Sequence, residues 1–359
     1  MKLLFLNTNI GYGGASKIMV WVANKCFEKG YEVTFLTYRI KEENQPLSSG
    51  VEHVHLQLEN ISGHGKGLLH TVSCLRQYIK EGQFDIAVSF LSPSHLRLAL
   101  ACKGLKTRIL FSHRGDPSIK PLSWRGKLLS LVNGWAFRQA DFFVFQTPMA
   151  RDCFPTNIRK RSIIIGNPIV PLHRTQERKD RIEKKIVSVA RLDIQQKRQD
   201  LLIKAFLKIS KAYPEYSLDL YGDGPDEDML RSIAKENEHI HFMGKTSNIV
   251  EAIQNAAMFV LSSDFEGIPN ALLEAMSIGV PCISTDCTPG GAAMLIRNGE
   301  NGLLVPRNDE EALAKAMEQF IENPQEREII GKTGMNVNHI FSEDRIFEKW
   351  QQAINQITN

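Results

Sequence analysis

The densest run of chemically capable residues is SSDFEGIPNALLEAMSIGVP (262–281), in which two carboxylates, Glu266 and Glu274, are separated by seven residues. Pro269 suits the first turn of a helix running to about Ile278, because proline fixes φ and lacks an amide that this turn leaves unbonded anyway. The backbone around Ile268, Pro269, Asn270, Ala271 and Leu272 then presents free amides and the positive end of a helix to an anion such as phosphate. Glu266 lies in the loop just before that helix and Glu274 lies within it. Helical side chains lean toward the N-terminus, so Glu274 can reach back beneath the anion site that Glu266 faces from the loop. A carboxylate does not bind phosphate, so these two fit hydroxyl donors.

The matching cations lie upstream. SVAR ends an apolar strand at Arg191, and Lys197 follows in LDIQQKRQD just before a helix. Ligands of open parallel sheets bind at the carboxyl ends of the strands, where a planar guanidinium and a mobile ammonium together suit a diphosphate. Taken alone, the pair reads equally well as solvated surface charge. Gly222 and Gly224 of YGDGP (221–225) follow the next strand and turn the chain tightly, either beside a ligand or simply as a turn. Gly244 closes HIHFMG (239–244). Phosphate-binding cations together with hydroxyl-binding carboxylates describe one ligand: a nucleotide-diphosphate sugar.

The N-terminal part carries a looser set. GYGGAS (11–16) stands between a strand and a helix, with Gly14 placed to bring its amide close to a phosphate. The pattern is not GxGxxG, and the next strand ends in Tyr38 and Arg39 where a dinucleotide's ribose would need an acid, so a nicotinamide cofactor is not expected. His113, in ILFSHRGDP (109–117), ends another strand and reads either as a working imidazole or as a buried one.

Apolar runs alternate with helical patterns along the whole chain, at 3–7, 32–38, 84–91, 108–112, 142–146 and 162–165, and again at 185–191, 217–224, 239–244, 258–263, 281–286 and 302–306. That alternation predicts parallel sheets flanked by helices. With 359 residues, the chain suits two domains rather than one core. The polar stretch 173–185 reads as the linker between them, which gives an α/β architecture with domains at 1–170 and 171–340. A terminal helix at 341–359, with Phe347, Trp350, Ile354 and Ile357 as an apolar stripe, packs on a core and is expected to cross back to the first domain.

Residues 1–170 hold 22 basic against 11 acidic residues, a net of +11, while the remainder holds 22 against 29, a net of −7. The basic half calls for an anionic partner such as nucleic acid or a phospholipid surface, or else for attraction between the halves. Six cysteines without a CxxC pair indicate neither a zinc site nor a disulfide framework, and MKLLFLNTNI is too short an apolar run for a membrane span. PLSWRGKLLSLVNGWAFRQ (121–139) sets Trp124, Leu128, Leu131, Val132 and Trp135 beside Arg125, Lys127 and Arg138. Such a helix either packs on its sheet or seats the protein in a lipid interface.

The run from SVARLDIQQKRQD through YGDGP and HFMGKTSNI to EGIPNALLEAMSIGVPCIST resembles the donor domain of retaining glycosyltransferases of family 4, with Glu266 and Glu274 meeting its Glu-x7-Glu element. NTNIGYGGAS and GNP extend the likeness more loosely. The resemblance implies the GT-B fold of two Rossmann-like, doubly wound domains, the first binding acceptor and the second binding donor. It also implies retaining transfer of a hexose or N-acetylhexosamine from a UDP-sugar, without metal or further cofactor, to a growing cell-surface glycan or lipid-linked oligosaccharide.

By the same resemblance Arg191 and Lys197 bind the diphosphate, Glu266 holds the donor sugar, Glu274 the ribose and the chain around Gly244 to Asn248 the base. Gly14 meets the diphosphate from the first domain, and His113 occupies the place of a histidine near the donor sugar, although His-Arg-Gly-Asp replaces the usual His-Asp. The expected location is cytoplasmic, at the inner face of the membrane if 121–139 binds lipid, and no nucleic acid is expected. The readings that compete are an epimerase or phosphorylase on the same fold and a non-catalytic binder of nucleotide sugar or nucleic acid.

Overall fold

A computed structural model describes residues 1–11, 13–39, 46–56, 64–119, 123–169, 182–246 and 248–358. The chain forms two compact units, one of residues 1–168 with 344–359 and the other of residues 169–343. In the first, seven strands run in the spatial order β3-β2-β1-β4-β5-β6-β7: β1 (Lys2–Asn7), β2 (Glu32–Thr37), β3 (Glu52–His55), β4 (Ile86–Ser89), β5 (Arg108–His113), β6 (Phe142–Phe145) and β7 (Ser162–Ile164). Every pairing is parallel.

The second unit repeats the plan with six parallel strands in the order β10-β9-β8-β11-β12-β13: β8 (Glu183–Val189), β9 (Ser217–Tyr221), β10 (Ile240–Gly244), β11 (Ala256–Leu261), β12 (Cys282–Thr285) and β13 (Leu303–Val305). Both sheets start at an inner strand, add two neighbours on one side, then return to the other side. This reversal opens a crevice at the carboxyl end of the first strand, between β1 and β4 in one unit and β8 and β11 in the other.

Apolar runs make the inner strands because a parallel sheet is covered by helices on both faces. Leu3, Leu4, Phe5 and Leu6 of β1 and Met258, Phe259 and Val260 of β11 are fully buried. β3 escapes the sequence pattern: Glu52, His53 and His55 make a polar edge strand with one neighbour only. The expected linker 173–185 lies outside the described residues as far as 181. Its last three residues already belong to β8, where Glu183 N donates to Asn255 O at 2.9 Å. Glu183, Lys184 and Lys185 mark the solvated start of a strand rather than a spacer.

The terminal helix Glu343–Thr358 belongs to the first unit from Asp344 onward. Its Phe347, Trp350, Ile354 and Ile357 are buried, together with Ile346. Trp350 stacks on Phe90 with centroids 5.5 Å apart, and Phe347 meets Trp21 edge to face at 6.2 Å. Burying a full indole against the edge of the sheet makes this helix a structural part of the unit. Trp350→Ala should therefore destabilise the first unit by about 3–5 kcal/mol in urea unfolding followed by circular dichroism, whereas a loss below about 1 kcal/mol would show that the helix is dispensable.

Candidate functional site

The loops after β8 and β11 meet at the reversal point of the second sheet, and hydrogen bonds hold them together. Beyond β8, Ala190 N donates to Tyr221 O at 3.0 Å and Leu192 N to Asp223 O at 2.8 Å, so this loop runs beside the loop that follows β9. Gly222 and Gly224 make that approach possible: a Cβ on them would lie 1.9 Å from Ala190 O and 2.1 Å from Leu192 O, and Gly222 has φ +138. Their first task is thus contact between two loops. Gly222 N also donates to Gly244 O at 2.8 Å, which ties in the exposed end of β10.

Asp193 caps a one-turn helix, Ile194–Lys197, accepting from Gln196 N at 3.3 Å, while Asp226 accepts from Ile194 N at 2.7 Å. This turn aims Lys197 at the loop after β11. There the Lys197 ammonium pairs with Glu266 Oε1, and Ser263 Oγ donates to the same oxygen at 2.9 Å. Both bonds fall on Oε1, and no donor to Glu266 Oε2 is found among the described residues. The backbones are joined as well: Ser262 Oγ donates to Lys197 O at 2.8 Å, Asp264 N to Gln196 O at 2.8 Å and Gln196 Nε2 to Phe265 O at 3.2 Å.

Arg198, with φ 50 in the left-handed region, supplies a second ion pair parallel to the first, to Asp264 at 3.1 Å, and also binds Asp200 and Asn308. Neither Ser263 nor the Arg198–Asp264 pair was singled out by sequence. The serine sat inside the segment that attracted attention, but two charges 66 residues apart carry no local signal.

The site residues differ in exposure. The side chains of Lys197 and Glu266 are 18% and 11% exposed, whereas that of Arg191 is 65% exposed and lies 3.7 Å from Asp193. Arg191 is therefore at the crevice rim rather than in the Lys197–Glu266 cluster. The helix expected to start at Pro269 is Asn270–Ser277, with Pro269 one position earlier as its N-cap. Pro269 has φ −74 and an extended ψ of 107, so the helical backbone begins at Asn270. Ile268 is buried, and Glu274 is partly exposed one turn into the helix.

In the first unit, Gly14 opens the helix Gly14–Glu28 after β1, and Asn7 fixes the approach by donating to Asn9 O at 2.9 Å and Ser16 Oγ at 3.1 Å. His113 ends β5 among Phe137, Phe145 and Phe154, with ring centroids 5.5, 6.2 and 5.5 Å away. Burial pushes its pKa down to about 4 against a smaller opposing pull from Asp116, so the ring is neutral at pH 7, and its buried Nε2 has no partner among the described residues. Arg114 beside it lies 4.5 Å from the Phe90 ring and donates from Nε to Ser112 Oγ at 2.9 Å and from NH1 to Asn167 Oδ1 at 2.7 Å.

An imidazole whose folded pKa lies below its unfolded value of about 6.5 stabilises the fold fully above that value and loses the contribution as pH falls toward 4. Fully buried His95, stacked on Phe111 at 4.2 Å, is shifted in the same direction by burial. The stability of the first unit should thus decline between about pH 6.5 and pH 4. His113→Phe should remove on the order of 3 kcal/mol of that decline, and an unchanged pH slope in urea titrations would refute the neutral ring.

Comparison with known proteins agrees with this geometry. Residues 170–337 match the family described as Glycosyl transferases group 1, and residues 13–159 match the Glycosyl transferase 4-like domain. A glycosyltransferase of Haemophilus influenzae is 27% identical over 98% of this chain and 99% of its own. Campylobacter jejuni GalNAc-alpha-(1->4)-GalNAc-alpha-(1->3)-diNAcBac-PP-undecaprenol alpha-1,4-N-acetyl-D-galactosaminyltransferase is 25% identical over 100% of this chain and 99% of its own.

Among solved structures, the lipopolysaccharide outer core galactosyltransferase WaaB superposes with a TM-score of 0.76 at 21% identity, covering 99% of both chains. Anabaena HepE in complex with UDP does so with a TM-score of 0.80 at 18% identity, covering 99% of this chain and 100% of its own. The two parallel sheets and the two family matches make this chain a glycosyltransferase with the GT-B fold, its residues 170–337 matching group 1.

Proposed function

We propose that the chain is a retaining, metal-independent transferase that moves a hexose or N-acetylhexosamine from a UDP-sugar to a growing cell-surface glycan or a lipid-linked oligosaccharide. The observation that carries this reading is the Lys197–Glu266 pair in the loop just before the start of the helix Asn270–Ser277. It supplies cation, hydrogen-bond acceptor and helix dipole on one crevice edge, the set needed by a sugar joined to a diphosphate. HepE was solved with UDP, and the Campylobacter relative is named for an undecaprenol-linked substrate.

Glu266 Oε2 accepts from a donor-sugar hydroxyl, and Glu274 accepts from the ribose. Lys197, with Arg191 swinging in from the rim, carries the negative charge that grows on the diphosphate as the glycosidic bond breaks. The acceptor hydroxyl attacks from the face that the diphosphate leaves, and the leaving phosphate oxygen takes its proton. Arg191 and Lys197 thus act mainly in the transition state, when charge on the leaving group is greatest. Neutral His113 and the Gly14 amide are the uncharged hydrogen-bonding groups of the first unit.

The same reading places the enzyme at the cytoplasmic face of a membrane. Among the described residues no helix is long and apolar enough to cross one. The helix Trp124–Arg138 packs on the first core mainly through Trp135, Ala136 and Phe137, while Trp124, Leu128, Leu129 and Leu131 are more than half exposed. An apolar face left in water over two turns, with Lys127 among its residues, suits an interfacial helix.

Lys197→Ala should lower turnover by about 10²–10³ while leaving the chain folded. Turnover within about threefold of the wild type would sink the assignment of Lys197 to the leaving group. A panel of nucleotide sugars tested for protection against thermal unfolding should single out a UDP-sugar, since a ligand that binds only the folded chain at about 100 times its Kd adds about 2.7 kcal/mol. Equal protection by no member of the panel would remove the donor reading.

A further inference from the structure

Arg307 stands two residues beyond β13 and has no part in the sugar and diphosphate contacts proposed above, yet its guanidinium ends against the loop that carries Glu266. Its NH1 donates to Asp264 O at 3.3 Å and to Thr288 Oγ1 at 3.3 Å. Arg307 is exposed and has no carboxylate partner among the described residues, so these two neutral oxygens, rather than an ion pair, fix where it lies.

Both oxygens belong to the frame on which Glu266 rests. Thr288, in the loop after β12, meets Phe265 in a parallel bridge, and its carbonyl accepts from the Glu266 amide at 2.6 Å. Thr288 also donates its amide to Asp264 O at 3.1 Å and its hydroxyl to the same oxygen at 3.4 Å. Gly291 packs so closely that a Cβ there would lie 1.3 Å from Gly267 O and 2.9 Å from Glu266 O. The backbone of Glu266 is thus laid on the loop after β12, and Arg307 joins the two loops by bonding one oxygen from each. The segment of Arg307 is itself fixed on both sides: Asp286 N donates to Val305 O at 2.7 Å, and Arg198 donates to Asn308 Oδ1.

Lys197 and Ser263 hold one carboxylate oxygen of Glu266, but neither bonds the backbone from which that side chain departs. We propose that Arg307 is a positioning residue, which sets Glu266 against the donor sugar by clamping the loops after β11 and β12 while touching neither sugar nor diphosphate. The inference rests on the assignment of Glu266 to the donor sugar and adds a residue that acts through it. Three bonds of 3.3–3.4 Å contribute little to folding. Placement is more sensitive, since an error of about 1 Å in a working group costs up to about 10²-fold in rate. A cation acting through its charge would instead favour UDP and UDP-sugars alike, because both carry the diphosphate.

Titration calorimetry of the full chain separates the two modes, with UDP, UDP-glucose, UDP-galactose, UDP-N-acetylglucosamine and UDP-N-acetylgalactosamine as ligands. Arg307→Ala is expected to weaken the preferred UDP-sugar by ~10-fold, to leave the Kd of UDP within about twofold, and to unfold thermally like the wild type. In a Glu266→Ala background, where the sugar contact is already lost, Arg307→Ala should change the UDP-sugar Kd by less than about twofold.

Unchanged UDP-sugar affinity in Arg307→Ala overturns the positioning role. Equal weakening of UDP and UDP-sugar overturns it as well and makes Arg307 a charge on the diphosphate. Full additivity of Arg307→Ala with Glu266→Ala shows that the arginine does not act through the glutamate. If wild type binds none of these nucleotides, or if Glu266→Ala leaves UDP-sugar affinity intact, the donor reading falls and this inference falls with it.

Discussion

The crevice of the second unit depends on one bridge, the ion pair between Lys197 after β8 and Glu266 after β11. These strands lie side by side in the sheet but 60 or more residues apart in the chain, and their loops diverge where the strand order reverses. Divergence creates space for a ligand and also removes the backbone pairing that would fix the loops. The ion pair, the Arg198–Asp264 pair and the bonds between Gln196, Ser262 and Asp264 replace it. A largely buried pair of this kind adds little net stability, because desolvation cancels most of the attraction. Its value here is positional: a charged acceptor and a charged donor are held ready in a site where water is partly excluded.

Several details follow from that bridge. Arg198 tolerates a left-handed backbone because the turn must reverse between the helix Ile194–Lys197 and the helix Gln199–Ile209, and its side chain gains two carboxylates there. Gly222 and Gly224 are glycines because the loop after β9 must lie against the carbonyls of Ala190 and Leu192. Hydrogen bonds thereby join the loops after β8, β9 and β11 into one wall. Arg191, on the rim and mostly exposed, has the freedom that this wall lacks.

The first unit uses the same fold for a different balance of forces. Its carboxyl edge is lined by aromatic rings around His113, which remove water and keep the imidazole uncharged. Arg114 packs against Phe90 and, at 5.9 Å, faces Trp350 of the terminal helix, so the last residues of the chain help build this edge. The opposite edge carries unpaired lysines, and the helix between the two edges leaves its apolar face in water. The two edges of one unit thus differ in character, aromatic at the carboxyl ends of the strands and cationic at the amino ends.

The alternation of apolar strands and helical patterns was enough to read two parallel-sheet domains, since burial on both faces demands continuous apolar runs whatever the rest of the chain does. The positions of Arg191, Lys197 and Glu266 in segments that follow strands, and of Glu274 in the helix after them, were legible for a related reason, since such segments form the edge of a parallel sheet where ligands bind. The apolar stripe of the terminal helix and the excess charge of the first 170 residues were equally visible. Local sequence does not encode which distant loops meet. The pairing of Lys197 rather than Arg191 with Glu266, the support from Ser263 and the Arg198–Asp264 rung, and the neutral cage of His113 were all decided by tertiary packing. Each depends on distances between segments far apart in the chain, and burial, hydrogen bonding and charge compensation exist only once those segments have met.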